Sequence, residues 1–211
     1  MSVAPPTASA TASRALVTRS LPRPRLRSDV SLEEAIALRE SSRAFGPELL
    51  RIEEISQLLW AAQGITRGWG ARSAPSAGAL YPLELYLVTP EGLFRYLPDG
   101  HRLALVIERD LRTPLARAAL VQSAVEHAPA IVAITAVHAR SRVKYGRRAV
   151  RYATLEAGHV AQNLLLQAVA LGLGAVPIGA FDDEEVRAAL ELPRGLAPLY
   201  LVAVGHPATP R

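Results

Sequence analysis

The sequence predicts an α+β fold: one domain with a central sheet flanked by helices. Three observations predict it. Helix and strand patterns are mixed along 211 residues without regular β-α-β alternation. Half of the residues are apolar, enough for a substantial core in one domain. Two strand-like runs, "LELYLV" at 83–88 and "GLFRYL" at 92–97, flank Pro90-Glu91-Gly92, a hairpin signal.

Residues 1–28 read as a disordered tail, rich in Ala, Pro, Ser and Thr, with five arginines (14, 19, 23, 25, 27) and no acid. The domain is expected over 29–211. "SLEE" at 31–34 is a capping box with Ser31 as N-cap, opening a helix to Arg39–Ser42. A second helix covers 52–62, with Ile52, Ile55, Leu58, Leu59 and Ala62 on one face and Gly64 as its stop. "RGWGARSAPSAGA" (67–79) is small and loop-like. After the hairpin come a helix over 110–121 and a buried strand, "AIVAITAV", at 130–137. A helix from about 152 to 171 is apolar on nearly every side and stops at Gly172 and Gly174. Such a helix needs cover all round, and a partner subunit is the expected cover. "AVPIGA" is a strand and turn, "DDEEVRAAL" a capped helix and "LYLVAV" (199–204) the last strand. No internal repeat is present.

The formal net charge of +5 suggests a nucleic-acid partner, but its distribution argues otherwise. Without the tail, 19 basic residues face 19 acidic ones, so the domain is neutral and no basic face is evident. The chain has no cysteine, which excludes disulfides, thiol nucleophiles and zinc-thiolate sites and fits a reducing compartment, the cytoplasm. No window reaches 18 apolar residues without polar breaks, so no membrane partner is expected.

Familiar catalytic patterns are missing. "GLGAVPIGA" lacks the third glycine of a dinucleotide fingerprint and follows a helix. Ser76 has no Gly-x-Ser-x-Gly elbow. The histidines (101, 127, 138, 159, 206) form no i, i+4 pair, so no metal site is expected.

Three stretches carry chemistry. In "RESSRAF" (39–45), Arg39, Ser41 and Arg43 alternate, and two guanidiniums with a hydroxyl suit an anion. "SAPSAGALYP" (73–82) packs small residues that let a planar ligand approach the backbone. "KYG" (144–146) holds the only lysine; the other 23 basic residues are arginine. Arginine stays protonated, whereas lysine can exchange a proton, so Lys144 with Tyr145 is a candidate proton-transfer pair. Arginines 140, 142, 147, 148 and 151 surround it.

Together, "RESSRAF", "IEEISQLLWAAQGIT", "APSAGALYPLELYLV", "GLFRY", "KYGRRAVRYATLEAGHVAQNLLLQAVALGLGAVPIGAFDDEEV" and "PLYLVAVGHP" resemble the nitroreductase-like flavoproteins across about 35–207. Within them the chain resembles the azoline dehydrogenases of peptide maturation. The resemblance implies an FMN enzyme of α+β nitroreductase-like fold, with a mixed or antiparallel sheet, built as an intertwined homodimer with flavin sites at the interface. It implies that Arg39, Ser41 and Arg43 hold the flavin phosphate and pyrimidine edge. Ser76 and Gly78 would come from the other subunit. Ile178 and Gly179 would present backbone N–H groups to the flavin, and Arg211 would complete the phosphate site. Two positions depart from the family pattern: Glu40 stands where a second basic residue is common, and Ala79 where many relatives have a flavin-contacting Asn. "KYG" matches a catalytic Lys-Tyr motif.

The implied reaction oxidises a thiazoline or oxazoline in a ribosomally made peptide. Lys144, assisted by Tyr145, removes the ring proton, hydride passes to FMN, and oxygen reoxidises the flavin. The alternatives are an NAD(P)H-dependent reductase of nitro compounds, quinones or enones, and a non-enzymatic flavin-binding subunit of a peptide-modifying complex. Expected partners are a second copy, a peptide or small-molecule substrate, and other peptide-modifying enzymes.

Overall fold

The computed structural model describes residues 17–208. Its centre is one antiparallel sheet of seven strands in the order β1-β4-β3-β2-β5-β7-β6. The strands are β1 Thr18–Ser20, β2 Leu83–Thr89, β3 Gly92–Leu97, β4 Arg102–Ile107, β5 Ala130–Ala136, β6 Gly174–Ile178 and β7 Ala197–Gly205. The helices are α1 Leu32–Leu38, α2 Ile52–Gln63, α3 Arg112–Ala118, α4 Ser123–His127, α5 His138–Tyr145, α6 Arg148–Ala170 and α7 Asp183–Ala189. The α+β architecture expected from sequence is the one found.

Side chains alternate across the pleat, so each central strand feeds two cores. Leu83, Leu85 and Leu87 of β2, Val132 and Ile134 of β5, and Val202 and Val204 of β7 enter the core under α2 and α6. Tyr86, Val88, Ile131, Ala133, Leu201 and Ala203 enter the other, with residues of α3, α4 and α7. Burial on both faces explains why these strands read as continuous apolar runs. At the β2–β3 hairpin, Gly92 (φ +148°) lies so close to β4 that a Cβ there would fall 2.1 Å from the Ile107 carbonyl oxygen.

Several local expectations change. The helix expected over 110–121 is the shorter α3, which ends before Leu120 and Val121 turn left-handed (φ +57° each), and the short α4 that follows was not expected. Strand β4 and helix α5 went unread, and α6 starts at Arg148 instead of 152. One face of α6 is buried, including Ala153, Ala157, Val160, Leu164 and Ala168, while Val150, Leu155 and His159 are exposed. The helix is therefore amphipathic in the single chain, with an open stripe instead of apolar sides all round.

The tail assignment of 1–28 divides. Residues 1–16 lie outside the described residues, but 17–28 are held on the domain. Thr18, Arg19 and Ser20 pair with Ala104, Leu103 and Arg102. Leu21 is 8 % exposed within the α2–α6 core. Ser56 Oγ donates to the Pro22 carbonyl at 2.7 Å, and the Arg25 N–H donates to Gln57 Oε1 at 2.8 Å. His101 sits between Ser56 Oγ (2.7 Å) and Tyr96 Oη (2.8 Å), and burial holds its pKa below the usual imidazole range. Composition suggested disorder; an unpaired strand edge and one buried leucine give these residues order.

Leu21→Ala is expected to cost about 2 kcal/mol, the lower end for a buried leucine. Thermal unfolding should report a fall of about 4–8 °C for a domain of this size. An unchanged midpoint would mean that residues 17–28 add nothing to the fold.

Candidate functional site

Three features lie at one end of the sheet because β2, β5, β7 and β6 share that end. Leu83, the first residue of β2, lies opposite Ala136, the last of β5, and Ala136 lies opposite Ala197, the first of β7. The loop before β2, carrying Ser76 and Gly78, and helix α5 after β5, carrying Lys144 and Tyr145, therefore emerge together. Strand β6 runs towards the same end and stops at Ile178, opposite Leu201. β6 lies three inter-strand spacings from β2, about 14 Å.

β6 is an edge strand. Its outer edge carries the segment after α1: Ser41 bridges Ala175 in parallel, and the Ser42 N–H donates to the Ala175 carbonyl at 3.0 Å. Gly174 is close to this segment, since a Cβ there would meet Ser42 Oγ at 2.6 Å. Farther on, the Gly46 N–H donates to the His206 carbonyl, which ties the segment to the chain after β7. Arg39 is half-buried at the C-cap of α1, and Ser41 and Arg43 are exposed. From Ala175 to Ile178 the edge runs three residues, about 10 Å. No strand among the described residues pairs with it there; Val176 and Ile178 are buried, and the chain becomes exposed at Gly179 and Ala180. Two guanidiniums and a hydroxyl at one end of this unpaired edge, with the exposed Gly179 backbone at the other, form a donor set that fits an extended anionic molecule with a planar head. Arg211 lies outside the described residues.

Lys144 and Tyr145 close the last turn of α5. These adjacent residues converge from the end of a helix. Lys144 Nζ lies 5.5 Å from the Tyr145 ring centroid, within cation–π range. Tyr145 packs edge-to-face on Tyr152 of α6, with centroids 5.0 Å apart. Both polar tips rest on the small-residue loop. A Cβ at Gly78 would fall 2.6 Å from Tyr145 Oη and 3.1 Å from Lys144 Nζ. Gly78 also adopts φ +63°, a region costly for residues with a Cβ. The glycine is therefore required twice, by its own backbone and by the pair it supports. Ser76 Oγ accepts the Tyr81 N–H at 2.9 Å and braces the same loop.

Beneath the loop lies a polar group that the sequence reading passed over. Glu156 of α6 is 2 % exposed, and its Oε1 meets no hydrogen-bond donor in good geometry. Gln63 Nε2 and Ser73 Oγ are likewise buried without partners. Burial pushes the Glu156 carboxyl above its ordinary value; Ser76, Gln63 and the Arg72 charge oppose the shift without reversing it. In sequence Glu156 appeared only as a polar break in an apolar helix. The available signal was its i, i+4 spacing from Tyr152, which puts both on one helix face. His138, at the start of α5, also has a buried, unpartnered Nδ1; burial and then Arg142 hold its pKa low. Among the described residues no three acidic or histidine side chains gather as a metal centre, and no helix is long and apolar enough to cross a membrane.

The raised carboxyl of Glu156 has a definite sign. A group protonated more readily in the folded state favours folding below its unfolded value, here 4.5, and that contribution is lost as pH rises through the folded value. Glu156→Gln mimics the protonated form. The variant should match the native chain near about pH 4 and become progressively more stable than it towards neutral pH. Parallel stability curves for the two proteins would show that Glu156 ionises freely in the fold.

Comparison with known proteins agrees with this architecture. The nitroreductase family model matches residues 36–206. A Methanocaldococcus jannaschii protein named as a nitroreductase, MJ1384, is 39% identical over 184 residues, which is 84% of this chain and 92% of that protein. A Ralstonia eutropha crystal structure, titled as a nitroreductase, superposes with a TM-score of 0.83 at 29% identity, covering 99% of this chain and 97% of that one. The fold is shared with the NADPH:FMN oxidoreductase of Vibrio harveyi in complex with NAD+, with a TM-score of 0.64 at 24% identity over 85% of this chain and 70% of that one. With its sheet, its edge segment and 171 of its residues matched in one continuous span, 36–206, the chain belongs to the nitroreductase family.

Proposed function

We propose that the protein is an FMN-dependent oxidoreductase that takes electrons from NADH or NADPH and passes them to nitro compounds, quinones or enones. The observation that carries this reading is the unpaired outer edge of β6, with Arg39, Ser41 and Arg43 at one end and the exposed Gly179 at the other. Arg39, Ser41 and Arg43 would hold the phosphate and the pyrimidine edge of FMN, and the Gly179 backbone would meet its reactive edge. Bound FMN would supply hydride transfer at N5. The arginines would also stabilise the negative charge that reduction places on the ring. Family membership and the nicotinamide-bound Vibrio harveyi neighbour support this choice of reductant.

A homodimer belongs to the same reading. The loop of Ser76 and Gly78 would then complete the flavin site of a second copy. Exposed Leu32, Ile36 and Leu38 on α1, and Val150 and Leu155 on the neighbouring α6, supply apolar surface for that copy.

Lys144 and Tyr145 keep a second reading in play, oxidation of thiazoline or oxazoline rings in a peptide. The specific observation favouring it is the convergence of both polar tips on Gly78. There Lys144 would take the ring proton, with the Tyr145 hydroxyl alongside it. The relatives named above are described as nitroreductases or an FMN oxidoreductase, and ring oxidation therefore stands second.

One pair of measurements separates the two. NADPH or NADH added anaerobically to the FMN-loaded protein should bleach the flavin, and a nitroarene should restore its colour. Failure of both nicotinamides to bleach it would remove the reductase reading. Lys144→Ala should retain FMN and nicotinamide oxidation. Should it instead lose an azoline-oxidising activity of the native protein, the ring-oxidation reading would take first place.

A further inference from the structure

Behind the Gly78 loop, on which Lys144 and Tyr145 rest, lies a cavity of about 330 Å³ whose walls are charged. Arg72, Arg95 and Arg140 line it, with Glu84, Gln63 and Tyr81. Glu84, on β2, is its only acid and is already engaged. Its Oε1 accepts from Arg95 Nη2 at 2.9 Å and from Arg140 Nη2. Arg140 Nη1 also donates to the Tyr81 carbonyl at 3.3 Å. Arg72 has no carboxylate within ion-pair distance among the described residues. Its Nη1 donates to Gln63 Oε1 at 2.7 Å, and its guanidinium lies 4.5 Å from the Tyr81 ring centroid. Three guanidiniums against one carboxylate leave the cavity two positive charges in excess.

Burying cations without counter-charge is costly, and a guanidinium cannot shed its proton to escape the cost. Burial opposes the charge on Arg72; the Glu156 carboxyl beneath the loop offsets this only in part, and the wall gives Arg72 no ion-pair partner. The planar forks of arginine match carboxylate oxygens, and this volume suits a small group instead of a whole cofactor. Position supplies the rest. The loop that rests on Lys144 and Tyr145 at Gly78 lines the cavity two and three residues later, at Leu80 and Tyr81. Arg140 and Lys144 stand four residues apart on α5, about 6 Å along its axis.

We propose that this cavity is a substrate subsite for a carboxylate, so that the enzyme prefers acceptors carrying an anionic group near the reacting one. The word substrate rests on the oxidoreductase reading above; the anion preference does not. Neither Arg72 nor Arg95 forms part of the flavin or proton-transfer groups, so a change in anion preference can be read separately from redox chemistry.

The test uses purified full-length protein and pairs of probes that differ only in charge, at fixed ionic strength. By calorimetry, benzoate should bind about tenfold more tightly than benzamide, and Arg72→Gln and Arg95→Gln should each abolish the difference. In turnover, 4-nitrobenzoate should show a lower KM than 4-nitrobenzamide with similar kcat, and the same variants should erase the KM ratio. Inorganic phosphate that displaces benzoate would support the subsite. Phosphate binding where benzoate does not bind would overturn the carboxylate assignment. Equal binding of benzoate and benzamide, or a preference that survives both variants, would overturn the proposal while leaving flavin reduction by NAD(P)H intact. Conversely, loss of nicotinamide oxidation would leave the benzoate preference standing.

Discussion

Burial of β2, β5 and β7 on both faces is the constraint on which the rest of the structure depends. Each strand sends alternate side chains into two separate cores, so neither face can shift without disturbing the other. Register is fixed with equal force, because a slip of one residue would exchange the contents of the two cores. The strand ends are thereby held level with one another. The loop of Ser76 and Gly78 and helix α5 leave these fixed ends, and their meeting is a consequence of sheet register.

The sheet edges serve differently from its centre. At one edge, β1 pairs with β4 and covers it with residues 18–20. At the other, β6 is paired on its outer side only at Ala175, and the remaining backbone makes no strand pairing among the described residues. An open edge is a hazard in most folds, since another chain can add to it. Here β6 is short, includes Pro177 and has the arginine-bearing segment alongside it. The same features that discourage strand addition leave room for an extended anion.

Charge is distributed to match. Ser41 and Arg43 beside β6 are solvent-accessible, the cavity arginines 72 and 95 are half-buried with Arg140 at the mouth, and Glu156 lies inside. Arg72 links the cavity and Glu156: it donates to Gln63 in the cavity wall, and its charge acts on the Glu156 carboxyl beneath the loop. A ligand anion in the cavity would compete with Glu156 for that positive charge.

Much of this was legible in the residues. Ser31 with Glu34, Gly64 after α2, and Asp182 before α7 mark helix ends by local hydrogen bonding, and the structure places caps at those positions. The apolar run of β5 announced a buried strand, and those of β2 and β7 announced strands. The pairing of arginines with Ser41, the small-residue loop and the single lysine singled out three segments of the site. What the sequence could not determine was anything set by distant partners. Residues 17–28 look disordered by composition and gain order only from the β4 edge and the α2 side chains. Lys144 and Tyr145 are neighbours on a helix whose polar sequence gives no apolar period, so their convergence on Gly78 is a tertiary fact. Arg72, Arg95 and Arg140 span 68 residues of sequence yet line one cavity with Glu84. Local rules fix caps, turns and strand faces because their partners lie within four residues. Cavities and buried charges depend on which segments the sheet brings together, and that was decided only when the two cores closed.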